Sequence, residues 1–200
     1  MRRLIVLAVL VVIIAGCASE SGRNNQAAAA QDFANLLQSG ASYDYDAFDS
    51  PLAQRDAADL VVLGTLGEVV PGRQLPYGRD SKQANLVVKV EEVIRGSSPD
   101  PQTAYVEVEL GNGVEFEDVR DAAPVGQRLL LFLDDRTDIG GVNGERGRPS
   151  GSRIYTPFVQ GLIIEAGGDW VSGISDRGEF GPEWRGIDSF DAFVTDLRDN

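Results

Sequence analysis

Residues 60–70 read LVVLGTLGEVV. The run is β-branched and apolar, with Gly64 and Gly67 placed where a strand bends or bulges. It is the strongest β signal in the chain, and the elements on either side of it set the fold class. Just upstream, Ser50-Pro51 is a helix start, a side-chain cap followed by proline at the first helical position. PLAQRDAAD then supplies about two turns. Downstream, the turn-rich PGRQLPYGRDSKQ (71–83) leads into ANLVVKVEEVIRG (84–96). There Leu86, Val88 and Val90 alternate with Lys89 and Glu91, the pattern of a strand with one buried face.

Further along, AYVEVEL (104–110) alternates again, with Tyr105, Glu107 and Glu109 expected toward solvent. VGQRLLLFLDD (125–135) is continuously apolar and is the expected centre of the sheet, with Leu131 and Phe132 on opposite sides. IYTPFV (154–159), GLIIEA (161–166) and, after a GGD turn, WVSGI (170–174) follow. At the end, Phe190, Phe193, Val194 and Leu197 recur at i, i+3, i+4 and i+7, one apolar face of a helix. The expectation is a mostly β fold of about six or seven short strands, a small OB-like barrel. A short helix precedes its first strand, and an amphipathic helix closes the chain.

The amino-terminal end reads differently. Arg2 and Arg3 precede LIVLAVLVVIIA (4–15). That run is too short to span a bilayer, which takes ~20 residues of helix, but suits the apolar region of a signal peptide. Ile14-Ala15-Gly16-Cys17 resembles the prokaryotic lipobox, with Ile where the pattern often has Leu. The resemblance implies diacylglycerol on Cys17 and cleavage before it. The expected organisation is a signal peptide over 1–16, a lipidated amino-terminus and flexible tether over 17–49, and a single domain over 50–200. Residues 18–31, ASESGRNNQAAAAQ, are the most tether-like, and a weak helical turn is expected around Phe33, Leu36 and Leu37, ended by Gly40. The membrane is thus the expected partner of the lipid on Cys17, with the domain extracytoplasmic.

Composition narrows the chemistry. The net charge is −13, which disfavours nucleic acid. There is no histidine, so the usual general base, metal ligand and pH switch are missing. The single cysteine excludes an intrachain disulfide.

The ordered set ADLVVLGTLGEV, LVVKVEEVIRG and VGQRLLLFL, spanning roughly residues 56–135, resembles the netrin-like module. That module occurs in tissue inhibitors of metalloproteinases and in uncharacterised bacterial exported proteins. The resemblance implies an OB-like barrel. It does not carry over inhibition, because the animal inhibitors need an amino-terminal cysteine and several disulfides that this chain lacks.

Catalytic motifs are poorly represented. Gly173-Ile174-Ser175-Asp176-Arg177 is not a nucleophile elbow, and adjacent Ser81-Lys82 lacks the spacing of a dyad. Asp134, Asp138 and Glu145 fall at positions 1, 5 and 12 of a calcium-loop count. However, Arg136 and Ile139 stand where a ligand and a glycine are needed. Glu91-Glu92, with Glu115, Glu117 and Asp118, could pair as carboxylates for glycoside chemistry, although acids alternating along a strand usually mark its solvent face. No metal or cofactor is expected. The Gly-rich GGVNGERGRPSGSR (140–153) carries Arg146, Arg148 and Arg153, a basic spot on an acidic protein. With Phe180, Trp184 and Arg185 it forms the expected ligand-binding region, for an envelope protein or a small ligand. The leading expectation is a non-catalytic binding module of the cell envelope. The alternatives are an envelope-acting hydrolase with paired carboxylates and an extracellular protease inhibitor.

Overall fold

The computed structural model describes residues 7–40, 43–73, 82–97, 99, 102–138 and 147–199, with side chains from Ser21 onward. The chain order is α1 (Leu7–Gln38), α2 (Pro51–Ala57), β1 (Leu60–Pro71), β2 (Lys82–Arg95), β3 (Thr103–Leu110), α3 (Phe116–Ala122), β4 (Arg128–Asp135), β5 (Ile154–Ala166), β6 (Asp169–Ser172), α4 (Pro182–Arg185) and α5 (Phe190–Asp199). Six strands form one sheet in the order β3-β2-β1-β4-β5-β6, with neighbours antiparallel. A further, parallel pairing joins β3 to β5 through Tyr105 with Ile154 and Val106 with Tyr155.

Local chemistry explains the elements. Ser50 Oγ accepts the Ala53 N–H at 3.1 Å and Pro51 opens α2, as the sequence indicates. The β1–β2 register slips at three places, two of them at Leu63/Gly64 and Leu66/Glu68. At Gly64 a Cβ would lie 2.6 Å from the Lys89 carbonyl oxygen, so only glycine permits this approach. IYTPFV and GLIIEA, two runs in the sequence, are one strand, β5. Its pairing with β4 slips between Leu131 and Leu133.

β4 is buried on both faces, and this explains its unbroken apolar sequence. Leu129, Leu131 and Leu133 face one core cluster; Leu130 and Phe132 face the other. The first cluster gathers the inward residues of β1, β2 and β3, including Val62, Leu86 and Val106, with Val119 of α3. The second packs the opposite sheet face against Trp170, Trp184 and the α5 stripe Phe190, Phe193, Val194 and Leu197, the stripe foreseen from its spacing.

The amino-terminal segment departs from expectation. Residues 18–31 are helical, part of the continuous α1. Ala30, Phe33, Ala34 and Leu37 are buried in the first core cluster, with Ala27 and Leu36 packed against it. The alanine run that resembles a linker by composition is also the best helix former, and its small side chains let the helix lie close to the sheet. At Gly167 (φ +68°) a Cβ would come within 2.7 Å of the Arg23 carbonyl oxygen. Gln38 Nε2 fixes the other end, donating to the Ser172 and Ser175 carbonyls at 2.8 and 3.2 Å. Among the described residues, no helix is long and apolar enough to cross a membrane.

Candidate functional site

β3 and β5 part after their two paired positions. From Glu107 to Leu110, β3 is paired with β2 alone among the described residues. On the facing side of the gap, Pro157 has no N–H to offer. A cleft of about 220 Å³ opens here, between the strand ends that carry the β1–β2 and β4–β5 connections. Arg73 lines it from the first connection and Arg136 from the second, Gln83 from the start of β2, Glu107 and Glu109 from β3, and Thr156 from β5. A second hollow of about 290 Å³ adjoins it and shares Tyr43, Val159 and Ile174 with it. Gln38, Tyr45, Ser175, Asp176 and Glu179 complete that hollow.

The cleft wall is held by an ion pair. Arg73 and Glu107 are 4% and 3% exposed. Arg73 Nη2 donates to Glu107 Oε2 at 2.7 Å, and Nε lies 3.0 Å from the same oxygen. The Arg73 backbone N–H donates to Glu107 Oε1 at 2.8 Å. Arg73 Nη1 also reaches the Arg136 carbonyl at 3.3 Å, tying the two connections together. Period-two alternation assigns Glu107 to a solvent face, and the structure corrects this. The sheet face is the outer one, but the Arg73 guanidinium covers it. No local signal marks Arg73, because its partner lies 34 residues away.

The remaining charges in the groove are uneven. Arg136 Nε contacts Asp134 at 2.8 Å. Glu109, Asp176 and Glu179 have no ion pair among the described residues. The Tyr43 hydroxyl is pushed above its ordinary pKa by burial and, secondarily, by the Glu109 carboxylate. Tyr45 is shifted the same way, chiefly by burial, and its hydroxyl lies 3.3 Å from Glu179.

The residues singled out in the sequence do not converge. Phe180 and Trp184 are 2% and 0% exposed, so they are core and not a presented patch. Gly181 and Pro182 start the single turn of α4, which aims the indole inward. Its ring centroid lies 5.0 Å from that of Phe180 and 5.7 Å from that of Phe193, and its Nε1 donates to the Phe48 carbonyl at 3.0 Å. A turn-rich sequence looks superficial, whereas Phe48, which accepts the indole N–H, and Phe132, which packs on the ring, are remote in the chain. Arg185, the next residue, is exposed. Arg185→Ala is therefore expected to shift stability by less than about 0.5 kcal/mol in thermal unfolding; a larger loss would place that side chain in the packing.

Arg148 donates to the Ser152 carbonyl within its own turn. Arg153 lies 3.6 Å from the Asp135 carboxylate. Arg146 and Glu145 lie outside the described residues, and Cys17 belongs to α1 as backbone only. No group of three or more His, Cys, Asp or Glu side chains placed to hold a metal occurs among the described residues. Asp59 and Asp134 face one another at the end of the sheet. The Asp135 backbone N–H lowers the pKa of Asp59, while desolvation raises that of Asp134.

No family model, no curated protein and no solved structure matches this chain.

Proposed function

We propose that the chain is an exported lipoprotein, anchored through diacylglycerol on Cys17. Its β domain is an OB-like, netrin-like barrel acting as a non-catalytic binding module. The pairing pattern supports the barrel: β1-β2-β3-β5-β4-β1 runs as a ring, with β3 and β5 parallel at the closure. α3 lies between β3 and β4 in the chain and buries Val119 in the inner cluster. OB barrels bind ligands on the face flanked by their first and last inter-strand loops. The observation that carries the binding reading is the cleft in that position, built on the buried Arg73–Glu107 pair. The adjoining tyrosines and carboxylates give it the mix of apolar and polar groups typical of recognition.

The lipid anchor rests on the order of residues 2–17. Two acyl chains hold a protein on a membrane without help from basic residues, so the acidic surface does not oppose anchorage. Cys17→Ser is expected to move the protein from the detergent-rich to the aqueous phase on phase separation. Unchanged partitioning would overturn the anchor and leave the cleft to be tested separately.

A further inference from the structure

We propose that the groove between β3 and β5 takes an extended peptide segment bearing lysine or arginine; this rests on the cleft being the binding site. Two features of the seam indicate a peptide. β3 offers a strand edge beyond Val106 that no strand covers among the described residues. Such an edge is a template for main-chain pairing. The two hollows also adjoin through Tyr43, Val159 and Ile174, so the groove continues past the end of a single small site.

The positive charge of the occupant follows from what the groove leaves uncompensated. The two arginines among its described lining residues are committed, Arg73 to Glu107 and Arg136 to Asp134. Glu109 in one hollow and Asp176 and Glu179 in the other have no cationic partner among the described residues. Tyr43 lies close enough to Glu109 to feel its charge, and the Tyr45 hydroxyl is 3.3 Å from Glu179. Tyrosine faces attract ammonium and guanidinium groups, and carboxylates beside them add charge complementarity. An anionic or apolar segment would leave these carboxylates facing like charge or deprived of water. An acidic surface elsewhere on the domain would speed the approach of such a segment without fixing where it lands.

The test uses the 15N-labelled, lipidated full chain in detergent micelles. It is titrated with a peptide alternating lysine and valine, with the matching glutamate–valine peptide, and with spermidine. The lysine peptide is expected to shift the amides of Tyr43, Glu109, Thr156 and Val159 first. Glu109→Gln combined with Glu179→Gln, both at exposed positions, should weaken it about tenfold, and raised salt should weaken it further. The glutamate peptide should leave those amides in place, and spermidine should not displace the lysine peptide at equal charge. Equal binding of the glutamate peptide would overturn the charge preference while leaving the cleft as a site. Full displacement by spermidine, shifts spread over the whole acidic surface, or no shift at all would each overturn the peptide proposal. Whether the cleft is a site at all is read separately, by photocrosslinking from Gln83 and Thr156, which line it.

Discussion

Phe33→Ala is expected to destabilise the domain by about 3–5 kcal/mol, a fall in melting temperature on the order of 10 °C for a chain of this size. The ring is fully buried, within the same cluster as Leu131 and Ile164. Its removal would leave a cavity between α1 and the sheet that the neighbouring Ala30 and Ala34 are too small to fill. A residue further up the helix gives the control. Ser21→Ala, at an exposed position of the helix, should change stability by less than about 0.5 kcal/mol. A Phe33→Ala protein that melts with the parent would mean that α1 is not part of the core and that the tether reading of this segment was right. With α1 docked from Arg23 onward, only about six residues separate Cys17 from the body of the domain, ~9 Å of helical rise.

Glu107→Gln is the second large effect, about 3–5 kcal/mol, because it removes the carboxylate that faces the buried Arg73 guanidinium at 2.7 Å. Glutamine keeps an acceptor for the Arg73 backbone N–H, so the loss reports the ion pair more than the hydrogen bond. The double variant Arg73→Met, Glu107→Leu should recover most of the stability, since two apolar side chains replace two buried charges. It should stop short of full recovery by about 1 kcal/mol, the cost of removing the carboxylate oxygen to which the backbone N–H at position 73 donates at 2.8 Å in the parent. Urea unfolding of the parent, the single variant and the double variant closes the cycle. A single variant as stable as the parent would show that the pair is solvated, and the cleft would lose its rigid wall.

The sequence and the structure agree where the signal is local. The cap at Ser50-Pro51, the two-faced burial of Leu131 and Phe132, and the Phe190–Leu197 stripe follow from propensity and periodicity alone. They diverge where a residue's environment is made by distant parts of the chain. Trp184 is surrounded by turn formers in sequence, but in space Phe132 packs on its ring and the Phe48 carbonyl accepts its indole N–H. Glu107 alternates like a solvent-facing residue, and is buried because Arg73 closes over it. The alanine run of α1 has the composition of a linker; the apolar positions that follow it, at Phe33 and Leu37, bury it against the sheet. The cleft is the extreme case. Its lining comes from the segment after α1, from β3 and β5 and from both loop bases, and no stretch of the sequence holds more than a few of these residues. The arginines of the Gly-rich loop stand out in the sequence, whereas the cleft is built on Arg73 and Arg136, outside that loop.

The most direct test of the cleft as the binding site is site-specific photocrosslinking in cells that make the chain. A photoreactive residue is placed singly at Gln83, at Thr156 and at Arg185, each in the whole 200-residue chain. Gln83 and Thr156 line the cleft, and Arg185 is exposed beside the buried Trp184. The expected result is a discrete adduct from Gln83 and Thr156 and none from Arg185. A discrete adduct from Arg185 with none from the two cleft positions would contradict the account.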